Sequence, residues 1–94
     1  MYLRPNVRRI LMIVSQLSKN DSNAGIMSMT ICRQEPDFPV SEVLERLDEL
    51  CAYGLLRRGE ETMKVAGAQF DSTYYITKYG IESSNQDQKT KDIR

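Results

Sequence analysis

One stretch, FPVSEVLERLDELCAYGLL at 38–56, limits most sharply what this chain can fold into. Val43, Leu44, Leu47, Leu50 and Cys51 recur at intervals of three and four, so they form one apolar stripe of a helix, while Glu42, Glu45, Arg46, Asp48 and Glu49 lie off it. Gly54 ends that helix. A residue free to take positive φ, followed at once by Leu55, Leu56 and two arginines, predicts a helix that runs straight into a strand. Upstream, Pro36 and Pro39 bracket Asp37 and Phe38, which forces a turn and places the helix start between Pro39 and Ser41.

The same logic orders the rest of the chain. Pro5 suits the first turn of a helix, and Val7, Ile10, Leu11, Val14 and Leu17 keep one face apolar as far as Ser18. Met12 and Ile13 fall off that stripe, so a second side needs cover, from Tyr2 and Leu3 or from another subunit. KNDSNAG at 19–25 is a turn; 25–27 predicts a very short strand, and Ser28 caps a second helix carrying Met29, Ile31 and Cys32. A start at Asn23 would lengthen that helix. Beyond Gly54 the period becomes two, and a hairpin centred on Ala66 and Gly67 pairs 55–65 with 69–77, Leu56 and Ile76 both facing inward and Gly59 available for a bulge. The expected domain is 1–82, with 83–94, SSNQDQKTKDIR, too polar to bury anything and therefore a disordered tail.

Composition removes several functions. Ninety-four residues support one modest core, and the run ILMIV at 10–14 is far short of the roughly 20 residues that cross a bilayer, so a cytoplasmic protein is expected. With no histidine and only Cys32 and Cys51 as thiols, neither a metal site nor neutral-pH acid–base chemistry is expected; both cysteines read as small buried hydrophobes. No phosphate-binding glycine loop occurs either, so no enzyme and no cofactor is expected. Thirteen basic and thirteen acidic side chains cancel, so no overall positive field draws in nucleic acid.

Two motifs nevertheless resemble one family. LERLDELCAYGLLRR at 44–58 is similar to the third helix and first wing strand of MarR-like, PadR-like and ArsR-like bacterial regulators, where two leucines three apart precede a glycine, an apolar pair and a basic residue. YYITKYGIE at 74–82 resembles the strand after the wing in those families, and Ser28 with Ile31 and Cys32 matches the start of their helix 2. The resemblance covers 5–82. It implies an α+β winged helix-turn-helix of three helices plus a β-hairpin wing, acting as a homodimer on double-stranded DNA, with helix 3 in the major groove and the wing on the minor groove or backbone.

The first function expected is therefore a small DNA-binding transcriptional regulator. Arg33 ends helix 2, Arg46 lies on helix 3, and Arg57, Arg58 and Lys64 make the wing basic; Gln34 and Ser41 lie near the backbone or bases. The alternative comes from Glu42, Glu45, Asp48 and Glu49, which set the wrong sign against a phosphate-dense groove. In that reading the domain is a protein-interaction module, with the acidic face of helix 3 meeting a basic partner or the hairpin edge pairing with another chain.

Overall fold

The chain folds as α1 (Pro5–Ser18), β1 (Ile26–Met27), α2 (Ser28–Gln34), α3 (Val40–Ala52), β2 (Leu56–Val65), β3 (Gln69–Ile76) and α4 (Lys78–Asp92). This computed structural model describes residues 3–65 and 69–92, with side chains described over 3–59 and 72–85. Over the described residues the architecture is α+β: four helices and an antiparallel sheet of three strands in the order β1-β3-β2.

Helix α1 begins at Pro5 and ends where Lys19 and Asn20 both take left-handed φ, 54° and 59°, with the Asn20 amide returning to the Ser15 carbonyl at 3.0 Å. Its stripe, Val7, Ile10, Leu11 and Val14, is fully buried and meets Val43, Leu47 and Leu50 of α3, with Ile31 of α2. Phe38 packs against this core from the turn between α2 and α3, as the two prolines suggest. The stripe on α3 is narrower than its sequence spacing implies, since Leu44 remains 36% exposed and Cys51 is half-buried.

The end of α3 shows why Gly54 matters. Gly54 adopts φ 77°, its amide donates to the Cys51 carbonyl at 3.0 Å and the Leu55 amide to the Leu50 carbonyl at 3.0 Å, while Leu50 and Leu55 are both buried. This paired closure reverses the chain into β2 in one step. Register then follows the expected centre: Leu56 faces Ile76, Arg57 faces Tyr75 and Arg58 faces Tyr74. After Arg58 it shifts, because the next paired residue, Thr62, faces Ser72, so 59–61 bulge against Thr73 alone. The hairpin turn at Ala66 and Gly67 lies outside the described residues.

Two expectations fail. Ser28 does not cap α2: Met27 occupies that position, and the Ser28 hydroxyl instead accepts the Ser72 amide of β3 at 3.3 Å, tying α2 to the sheet. The second correction is larger, for the described residues form four helices rather than three, and helix runs from Lys78 to Asp92 where a disordered tail is expected from 83 onward. The cause lies in a few contacts rather than in apolar content. Thr77 caps α4, its hydroxyl oxygen accepting the Gly80 amide at 3.1 Å and its hydroxyl donating to the Gly54 carbonyl at 2.6 Å. Farther along, Ile81 packs on the core and Ser84 is fully buried, its hydroxyl 3.2 Å from both Met12 Sδ and Ser15 Oγ. The off-stripe side of α1 is thus covered within the chain, by α4, with Leu3 buried as well; Tyr2 lies outside the described residues.

Candidate nucleic-acid interface

The two wing arginines singled out by sequence do not share a face. Arg57 and Arg58 are consecutive on β2, so they leave opposite faces of the sheet. Arg58 shares the inner face with Tyr74 and Ser72 and donates to the Ser72 hydroxyl at 3.1 Å. Arg57 stands on the outer face, exposed, with its guanidinium carbon 4.3 Å from the centre of the Tyr75 ring. Arg33 and Gln34 are exposed at the end of α2, and Ser41 is exposed in the first turn of α3. The backbone of Lys64 pairs with Phe70 in the hairpin; its side chain lies outside the described residues.

Arg46 sits differently from its neighbours on α3. Its side chain is 20% exposed and it bonds Glu49 at 3.2 Å, on the flank where Arg4, the residue preceding α1, also reaches Glu49 at 2.5 Å. Tyr53 donates to the other Glu49 oxygen at 3.3 Å. A cavity of about 310 Å³ opens beside this cluster, lined by Arg4, Pro5, Asn6 and Arg46. The polar residues that remain fully outward on α3 are Ser41, Glu45 and Asp48, one stripe at helical spacing with two carboxylates and no cation.

Other charges fasten elements. Glu35 is 3% exposed at the end of α2 and pairs with Arg9 of α1, whose guanidinium carbon also lies 5.9 Å from the centre of the Phe38 ring. Burial raises the Cys51 thiol above its ordinary value, the Asp48 carboxylate adds to that, and Arg58 opposes it. The thiol is therefore held protonated at neutral pH and is a poor nucleophile. Among the described residues no group of three His, Cys, Asp or Glu side chains is placed to hold a metal ion, and no helix is long and apolar enough to cross a membrane.

Sequence reasoning passed over Tyr75 and Arg4. Tyr75 was within reach, because a hairpin centred near 66 sets it directly opposite Arg57; Arg4 was not, because its partner Glu49 lies 45 residues away and no local pattern links them.

No protein-family model and no curated protein matches this sequence. Among solved structures, the fold is similar to that of a possible transcriptional regulator from Methanosarcina mazei Go1, with a TM-score of 0.56 at 15% identity, over 95% of this chain and 72% of that one. At that identity the likeness concerns the fold alone.

Proposed function

We propose that this chain is a winged helix-turn-helix regulator of transcription, non-catalytic and cytoplasmic, that binds double-stranded DNA. The observation that carries the reading is the exposed Arg57 at the base of the β2–β3 hairpin, in a fold shared with a possible transcriptional regulator. In this reading α2 and α3 form the helix-turn-helix, the hairpin is the wing, and Arg33, Gln34, Ser41, Arg57, Arg58 and Lys64 meet phosphates or bases. Arg46 joins them by exchanging Glu49 for DNA. A homodimer belongs to the same reading, and Tyr79 on α4, 73% exposed, is apolar surface available to it.

The test is binding to random-sequence duplex across a salt series. Wild type is expected to bind at low salt, and Arg57→Ala and Arg58→Ala each to lower the slope of log affinity against log salt by up to about 0.9 where that arginine meets a phosphate, on all sequences alike.

The outward stripe of Glu45 and Asp48 favours a second reading, a protein-interaction module that takes a basic partner on α3. The same assay separates the two. If DNA is the partner, Glu45→Gln with Asp48→Asn strengthens non-specific binding by removing like-charge repulsion; if wild type ignores duplex even at low salt, the acidic face becomes the site to pursue.

A further inference from the structure

Tyr75 lies on the outer face of the sheet in a seat made by two glycines. A Cβ added at Gly25 would stand 3.0 Å from Tyr75 Cζ and 3.1 Å from Cε1, and one added at Gly59 would stand 3.1 Å from Cε2. Both edges of the ring are therefore flanked by backbone with no side chain, one beside β1 and the other at the β2 bulge. Thr73 and Met27 close the seat along the strands, the Thr73 hydroxyl lying 3.2 Å from Met27 Sδ. Held in this way, the half-buried ring presents one face to Arg57, its direct cross-strand partner, at 4.3 Å.

A guanidinium stacked on a ring keeps its N–H donors in the plane parallel to that ring, directed outward, while its stem loses the freedom that an exposed arginine otherwise keeps. A phosphate diester oxygen approaching the sheet would meet donors already aligned, and the ordering cost of binding would be smaller. We infer that Tyr75, seated between Gly25 and Gly59, is a positioning residue that holds Arg57 ready for a nucleic-acid phosphate on the outer sheet face. This rests on the DNA-binding reading above and adds to it a residue and a surface away from the acidic stripe of α3.

The test is a double-mutant cycle on duplex affinity with the salt slope as second readout. Tyr75→Leu keeps apolar volume without the π face and is expected to weaken binding about two- to fivefold, the fold-change matching an exposed cation–π contact, while the salt slope stays at its wild-type value because the same phosphate is still met. Tyr75→Phe should bind as wild type. In an Arg57→Ala background, Tyr75→Leu should cost nothing further. An equal loss from Tyr75→Leu with and without Arg57 overturns the inference and leaves DNA binding standing. A measurement without DNA guards against misfolding and against failure of the DNA reading itself: relaxation of the Arg57 Nε–H group should report a held guanidinium in wild type and Tyr75→Phe and a free one in Tyr75→Leu. Equal mobility in all three overturns the positioning role, and failure of wild type to bind any duplex at low salt overturns the DNA reading and the phosphate role together.

Discussion

Leu47→Ala is expected to destabilise the domain by about 2–5 kcal/mol, read as a fall in the urea midpoint at unchanged slope. Leu47 is fully buried among Val43 and Leu50 of its own helix and the fully buried stripe of α1, so removing three carbons leaves a void that surrounding backbone cannot close. Small domains typically hold about 5–15 kcal/mol in total, so this one change can remove a large share. The comparison that gives the result meaning is Leu44→Ala. Leu44 obeys the same spacing in sequence yet is 36% exposed, and its truncation should cost much less. Equal effects at the two positions would show that α3 is rotated about its axis relative to the packing described.

The contrast between those leucines shows where sequence spacing stops being informative. A repeat of three and four defines a stripe, but the width of the stripe actually covered depends on what faces it, and that is fixed by residues far away in the chain. Gly54 lies at the other extreme. Its role was legible because the constraint is local: one residue with positive φ, two backbone hydrogen bonds and a buried leucine on either side close the helix without help from elsewhere. The hairpin register was legible for a similar reason, since period-two alternation on two strands leaves one centre that turns Leu56 and Ile76 to the same side. The shift after Arg58 likewise falls where Gly59 is available for a bulge, though its extent over 59–61 is set by the pairing of Thr62 with Ser72.

The candidate interface was harder to read because charge has no period. Arg46 and Arg57 look alike in a one-dimensional list, yet one is drawn onto Glu49, the carboxylate that Arg4 also reaches, and the other stacks on an aromatic ring at the sheet surface. Burial and pairing separate them, and both come from tertiary structure. Among the described residues, Arg57 is an exposed cation held against a ring, whereas the fully exposed charges on α3, Glu45 and Asp48, are both negative.

Removing 78–94 is the second change expected to have a large effect, and it runs against what the polarity of that segment suggests. The helix is anchored at its start: the Thr77 amide donates to the Leu55 carbonyl at 3.1 Å, the Thr77 hydroxyl to the Gly54 carbonyl, and Gly80 lies so close to Leu55 that an added methyl would overlap its carbonyl oxygen and crowd Ile76. The two family-like motifs, around Gly54 and around Thr77 and Gly80, therefore meet in space and form one joint between α3, β2, β3 and α4. Truncation strips Ile81 and Ser84 from the side of α1 that carries Met12 and Ser15. Burial of one isoleucine is worth about 1.5–3 kcal/mol at full depth, and the partly buried Ile81 supplies a share of that. The shortened chain should unfold at clearly lower urea, with faster amide exchange in α1. Gly80→Ala should reproduce part of that loss, about 1–3 kcal/mol, since α4 must shift away from Leu55 to admit the methyl. A truncated chain as stable as the full one would mean that α4 only rests on the domain, and that α1 keeps its second face covered by other means.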